Sequence, residues 1–529
     1  MKTLLGKKLS VKQVIAIVVV TIGLSTLSSL YVIPLFASNK TPAALLSLPE
    51  KTDSAQPDTA AAPADTSAFG KLKSAVDSIT NAPELVGGSW SFCLATADSG
   101  KEIYSHNTRQ ALVPASVIKV VTTGTALALL GPGQRFSTSL QYDGKIESRV
   151  LNGNIYIRGG GDPALGAETY GSSVSKVMGN WREAIKNLGI DSIAGCIVGD
   201  AESGDRDPIP GGWAWEDMQN DYGIGPCALS IHENCYDMYL TASGGGVSVR
   251  TEPQVPGMKL YCQVNHSPSA GKSYAYVAGG PYQHERVAIG EVASYLEARS
   301  AIPDPPLFCA QTLLNELREA GIKVRDSAVT LRKIRLSRTK WEKQERKTFY
   351  STSSPALSDL VYHTNQVSHN FYAESILRGI SYAKTGYGST SGGVAQIIAF
   401  WKSKGIDLRG FWMVDGSGIS RFNTISAKQL VDMLRVYAQD SAVFKPFYRS
   451  LPVAGESGTI RKLAQETEAE GNLRAKSGTM SRVKAYAGYV RTKSGKLLAF
   501  SMTANNTLWD AAQLREKFER LFILMAELP

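Results

Sequence analysis

The chain is poor in the residues on which most hydrolases are built. Of its 529 residues only six are histidine and six are cysteine. It contains no His-Glu-x-x-His pair, no Gly-x-Ser-x-Gly elbow and no Gly-x-x-x-x-Gly-Lys-Ser/Thr loop. Those absences disfavour a zinc peptidase, a Ser-His-Asp hydrolase and a nucleoside triphosphatase. The cysteines, at 93, 196, 227, 235, 262 and 309, lack zinc-like spacing, and in an oxidising compartment their disulfide pairing stays open. No metal and no cofactor is expected. Dense Lys/Arg runs are missing too, so the net charge of +10 reads as dispersed, solvated charge rather than a nucleic-acid surface.

A composition of 43% hydrophobic and 20% charged residues with 49 glycines is globular, and the length suggests about three domains. One long apolar run stands out. Val14 to Ala37 carries no charge and follows Lys2, Lys7, Lys8 and Lys12. It is long enough to cross a bilayer, and the preceding lysines place the rest of the chain outside the cytoplasm. Residues 1–37 therefore read as a signal anchor or a signal peptide, and a cell-envelope or periplasmic location is expected. Residues 38–68, rich in Ala, Pro, Thr, Asp and Ser, read as a flexible linker.

Beyond the linker, SWSFCLATAD and KEIYS read as two strands joined at Ser99-Gly100, followed by a mostly apolar helix ending at Gly131. Residues 137–339 differ in texture. Alternating stretches with many Gly and Pro turns predict one or two mainly β domains, with helices near Ser172–Leu188 and Ala310–Ala320. After Ser353 the pattern turns helical, then ends in three strands and a closing helix over Asp510–Glu527. Those strands and the two early ones can join in one sheet. The expected fold is thus a single α/β domain, residues 69–136 and 340–529, interrupted by an insertion.

Within the early helix, Pro114-Ala115-Ser116-Val117-Ile118-Lys119 sets a hydroxyl and an amine three residues apart, on one helical face. The Ser-x-x-Lys spacing alone says little, since it recurs at Ser173, Ser269, Ser337, Ser381 and Ser481. Ser116 is distinguished by its apolar context. A lysine forced into a buried helix near its positive end loses hydration, so its pKa should fall towards that of a usable base. The competing reading is a lysine that snorkels from a core helix.

Ser368-His369-Asn370, beside a helix, and Lys476-Ser477-Gly478-Thr479, opening a strand, complete a set suited to serine acyl transfer. Taken singly, Ser368 and Asn370 read equally as helix caps and Lys476 as a strand-end lysine. Lys384-Thr385-Gly386 spells a Lys-Thr-Gly more faithfully. It lies between two helical stretches, however, and lacks the edge strand that pairs with an extended substrate.

Ser-x-x-Lys, Ser-x-Asn and Lys-Ser-Gly in this order, together with GGGDPAL (159–165), GGWAWEDM (211–218), DGSGISRFN (415–423) and LPVAGESGT (451–459), resemble the class C low-molecular-mass penicillin-binding proteins. These are the D-alanyl-D-alanine carboxypeptidase/endopeptidase family, and the likeness runs from about Leu85 to the C-terminus. It implies a penicillin-binding-protein/serine β-lactamase-like transpeptidase fold with a long insertion. The implied partners are peptidoglycan stem peptides as substrate and β-lactam antibiotics as covalent inhibitors. The implied catalytic residues are Ser116 (nucleophile), Lys119 (base), Ser368 (proton relay) and Asn370. Lys476, Ser477, Gly478 and Thr479 would bind substrate, with Arg421 and Asp200 as looser candidates. Ser481 departs from relatives that carry glutamine there. Two rivals stay open: a serine β-lactamase and a non-catalytic wall-binding protein.

Overall fold

The computed structural model describes residues 3–4, 7–8, 65–269, 271–337 and 345–529. The chain divides into two units, residues 1–63 and 64–529. In the first, Thr3–Leu4 pairs antiparallel with Lys7–Lys8. The expected membrane segment 14–37 and nearly all of the linker lie outside the described residues. Among the described residues, no helix is long and apolar enough to cross a membrane.

The second unit is built on a five-stranded antiparallel sheet that joins the two ends of the sequence. From one edge to the other its strands are Arg474–Met480, Val483–Arg491, Leu497–Asn505, Ser89–Thr96 and Glu102–His106. Side chains alternate across a strand, so the three inner strands feed two cores. Phe92 and Leu94 join Tyr486, Phe500 and Phe522 under the closing helix Ala511–Ala526. Cys93 and Ala95 join Ala485, Ala487 and Tyr489 on the opposite face, against the helical layer. A helix not anticipated from the sequence, Ala68–Thr80, packs Leu72, Val76 and Ile79 into the first of these cores.

The helical layer explains the apolar run after Ser116. The helix Ile118–Leu130 is buried at every position from Ile118 to Leu127, which is why, Lys119 and three threonines apart, its residues are small or apolar on every side. Gly131, at φ 80°, ends it, a conformation that costs glycine nothing.

The insertion is more mixed than the mainly β reading suggests. Strands Ile155–Gly159, Ile197–Asp200 and Val329–Thr330 are parallel, and helices Val174–Lys186 and Pro305–Glu319 share a core with Leu140, Ile155, Ile157 and Ile197. Two three-stranded sheets follow the second of these strands, Cys235–Ser243 with its two neighbours and Glu285–Val292 with its own. Strand Lys347–Ser353 pairs with Ser137–Tyr142. The chain therefore returns from the insertion after Ser353 and not at 339. Cys93, Cys227, Cys235, Cys262 and Cys309 carry free thiols.

Candidate active site

Ser116 lies in a 3-10 turn, Ala115–Val117, that leads into the buried helix. Ala115 adopts φ 46°, a left-handed conformation costly for a residue with a Cβ. Two glycines permit this turn to be enclosed. A Cβ on Gly418 would fall 2.1 Å from the Ala115 carbonyl oxygen, and one on Gly478 would fall 2.5 Å from the Pro114 oxygen and 3.2 Å from the Ser116 nitrogen. The glycine of Lys476-Ser477-Gly478 is thus required by close approach: it lets the edge strand lie directly on the serine turn.

One helical turn on, Lys119 is fully buried. Its Nζ donates to Ser116 Oγ (2.9 Å), Asn370 Oδ1 (2.6 Å) and the Ser417 carbonyl (2.5 Å). Burial pushes this amine down to about 7, against the carboxylates of Asp415 and Glu374, which favour the charged form. Lys476 is also fully buried and bonds Ser368 Oγ (2.8 Å) and its neighbour's carbonyl, that of Ser477 (2.7 Å). Burial first, then the charges of Lys119 and Lys484, hold its amine well below the ordinary lysine value. Two amines that repel each other thus converge on two hydroxyls. Ser368 adopts φ 61°, the turn that precedes the helix Asn370–Thr385.

The structure therefore brings Ser116, Lys119, Ser368, Asn370 and Lys476 into one cluster, with Ser477, Gly478 and Thr479 along the adjoining edge strand. Two details differ from expectation. Asn370 turns its Nδ2 to the Tyr222 carbonyl of the insertion (2.9 Å), so its amide links the insertion to Lys119. Ser477 Oγ donates to Thr459 (2.7 Å), tying the strand to the LPVAGESGT segment. Arg421 lies at the rim, its guanidinium reaching the Ser481 carbonyl (3.3 Å) just past the strand. Asp200 is not brought to the cluster. It is buried in an ion pair with Arg346 (2.6 Å) and also accepts from the Glu202 amide (3.0 Å), so its charge is already spent. Lys384-Thr385-Gly386 forms the end of a helix, with Gly386 as its left-handed cap.

Two supporting residues, Glu374 and Lys484, escape a reading of motifs, while Asp415 opens the DGSGISRFN segment. Glu374, fully buried, accepts the Gly416 (2.9 Å) and Ser417 (2.7 Å) amides and so fixes the carbonyl that holds Lys119. Asp415 receives Gly418 N (2.8 Å), Ser420 N (2.7 Å), Asn423 Nδ2 (2.6 Å) and Trp213 Nε1 (2.9 Å). Burial raises both carboxyl groups, Glu374 to about 7. Lys484, opposite Thr479 on the neighbouring strand, donates to its hydroxyl (2.8 Å). A signal for Glu374 exists in the sequence: it stands one helical turn after Asn370, the sole charge in NFYAESIL.

A family model described as "D-Ala-D-Ala carboxypeptidase 3 (S13) family" matches residues 72–528. A D-alanyl-D-alanine carboxypeptidase of Actinomadura sp. is 27% identical over 82% of this chain and 81% of its own. D-alanyl-D-alanine carboxypeptidase DacB of Haemophilus influenzae is 25% identical over 83% and 90%. The crystal structure of penicillin binding protein 4 (dacB) from Haemophilus influenzae superposes with a TM-score of 0.73, at 22% identity, over 85% of this chain and 98% of the other, which establishes a shared fold. By the extent of the family match, this chain belongs to the D-Ala-D-Ala carboxypeptidase 3 (S13) family.

Proposed function

We propose that the chain is a serine DD-carboxypeptidase/endopeptidase that cleaves the D-Ala-D-Ala terminus, or the D-Ala cross-link, of peptidoglycan stem peptides through an acyl-enzyme. The observation that carries this reading is the fully buried Lys119 amine, at about 7, touching Ser116 Oγ at 2.9 Å. A base needs an available lone pair near neutral pH and contact with the proton it removes, and Lys119 has both.

In this reading the substrate lies extended along Lys476–Met480, the part of the sheet's edge strand beyond its bridge with Val453. Its terminal carboxylate meets the Thr479 hydroxyl, with Lys484 supplying positive charge and Lys476 a hydrogen-bond donor beside it. Neutral Lys119 takes the Ser116 proton as Oγ attacks the D-Ala carbonyl carbon. The resulting oxyanion accepts backbone amides of Ser116 and Thr479, donors each worth roughly 3 to 4 kcal/mol in comparable enzymes. The C–N bond then breaks. Its nitrogen takes the proton that Lys119 had removed, relayed through Ser368, whose hydroxyl is bonded to Lys476, so that Lys119 is neutral again as the D-Ala or cross-linked amine departs. Water attacks the remaining ester, returning the proton to Ser116 and freeing the shortened peptide. β-Lactams enter the same site and acylate Ser116.

The catalytic unit is residues 69–136 and 354–529, since strand Lys347–Ser353 belongs to the insertion's sheet. The insertion, 137–353, contributes to it through Tyr222 and Trp213. The apolar segment 14–37 would anchor or export the chain, placing this unit in the envelope where the substrate is. The test is mass mapping of labelled penicillin on the intact protein and on Ser116→Ala, followed by cross-linked muropeptides and D-Ala-D-Ala peptides as substrates. Label on Ser116 and release of D-Ala or monomers are expected. Cleavage undiminished in Ser116→Ala would remove the nucleophile, penicillin turnover faster than peptide turnover would favour a β-lactamase, and no cleavage by the intact protein would favour a binding protein.

A further inference from the structure

His369, between Ser368 and Asn370, plays no part in that mechanism, yet it is tied into a cluster of its own. Its Nε2 lies 3.7 Å from the carboxylate of Glu233, which comes from the insertion. Its ring lies 5.5 Å from that of His363, on the helix Leu357–Gln366. One ligating atom from each of Glu233, His363 and His369 lies within 4.8 Å of the other two. Two imidazole nitrogens and a carboxylate oxygen are a donor set characteristic of zinc-class cations held by three protein ligands.

Two features mark this as more than a chance meeting. First, the backbone goes to some expense to deliver Glu233: His232, Glu233 and Asn234 adopt φ of 51°, 54° and 57°, three successive non-glycine residues in the left-handed region. The Asn234 side chain holds that turn, donating to the Gly225 carbonyl (3.1 Å) and accepting the Ile231 amide (3.2 Å). Second, His369 Nδ1 is buried without a hydrogen-bond partner, and a buried polar atom left unpaired calls for an explanation.

The charges around the cluster permit a cation. Arg299 bonds Glu233 (3.1 Å), but it also bonds Asp237 (3.0 Å), so it keeps a partner if the Glu233 oxygen is shared. Tyr372 donates to the other Glu233 oxygen (2.9 Å), the kind of outer contact that orients a ligating carboxylate.

We propose that Glu233, His363 and His369 bind one divalent transition-metal cation of the zinc class. The ion would brace the insertion and the Leu357–Gln366 helix against the turn that carries Ser368 and Asn370. Glu233 lies 130 residues before His363, which is why no metal spacing is visible in the sequence. The site does not depend on the reaction proposed above.

The test uses the full chain in detergent, stripped with a chelator and titrated with Co²⁺, then with competing Zn²⁺. We expect one ion per chain with the visible d–d bands of nitrogen and oxygen ligation, and a melting temperature that rises with Zn²⁺. Affinity should fall by at least about tenfold in Glu233→Gln and in His363→Ala, each first shown to melt cooperatively. His363→Gln replaces His363→Ala if the latter does not fold. The proposal is overturned by no stoichiometric binding below about 100 μM Zn²⁺, a concentration above which weak surface histidines bind in any protein. It is equally overturned by undiminished affinity in the variants, or by a near-ultraviolet thiolate-to-cobalt band in the unmutated chain, which would assign the ion to cysteines.

Discussion

If the Lys119 amine takes the Ser116 proton, the acylation rate must track its neutral fraction. An ordinary lysine, near 10.5, is about 0.03% neutral at pH 7, whereas one at about 7 is about half neutral. Burial thus raises the concentration of usable base about 1,500-fold, equivalent to about 4 kcal/mol of barrier. The sign follows directly: protonation removes the base, so the rate falls as pH drops through 7, about tenfold per unit, and levels off above pH 8. Acylation by a fluorescent penicillin, followed by stopped flow, should be about fifty-fold slower at pH 5 than at pH 7. Lys476 is held low as well, and two variants separate the amines. Glu374→Gln keeps an acceptor for the Gly416 and Ser417 amides but removes a carboxylate that favours charged Lys119, so the limb moves to lower pH. Lys484→Gln relieves Lys476 of a repelling charge and slows the reaction through Thr479, but leaves the limb in place. A flat profile from pH 5 to 9, a limb near 10, or a limb that moves upward in Glu374→Gln would refute the assignment.

Gly478→Ala would force the edge strand off the serine turn, because its Cβ meets the Pro114 oxygen at 2.5 Å. Acylation should drop by at least about a hundredfold for a stability loss of only about 1–3 kcal/mol in urea melts. Asp415→Asn would set an amide against four donors, so unfolding in urea should reveal a loss of about 2–3 kcal/mol, with slower acylation because the carbonyl that holds Lys119 shifts. Lys384→Ala, at the end of a helix, should leave the acylation rate within about twofold of the parent.

What could be read from the sequence were residues constrained in type as well as in spacing. Ser116 and Lys119 needed one helical turn and an apolar context, both visible in PASVIKVVT. The Lys476 strand was separable from Lys384 because only the former begins a hairpin, and the sheet indeed leaves Arg474–Met480 at its edge. The five-stranded sheet was legible as three strands before the closing helix and two before the Ser116 helix, which join as one sheet. Asp200 failed because an aspartate after a short strand has no signature that separates a substrate ligand from half of a buried ion pair, and Arg346 is distant in sequence. The helix Ala68–Thr80 was hidden by the polar linker that runs up to its Ser67 cap.

Glu374 was missed for a deeper reason, and Asp415, though it opens the DGSGISRFN segment, showed its place in a motif without its role. A nucleophile and its base must meet the substrate, so their chemistry dictates their identity and the spacing between them. A residue that only fixes a backbone carbonyl needs to be an acceptor in the right place, and three-dimensional placement is what a linear motif omits. The structure nevertheless shows that these carboxylates set the chemistry: without them Lys119 would lose the carbonyl that holds it and the charges that keep its amine from falling further. Burial alone would make a weaker base, and the bare charges would make an ammonium. The value near 7 is the balance of the two, so the rate at neutral pH belongs as much to Glu374 and Asp415 as to the serine and lysine they support.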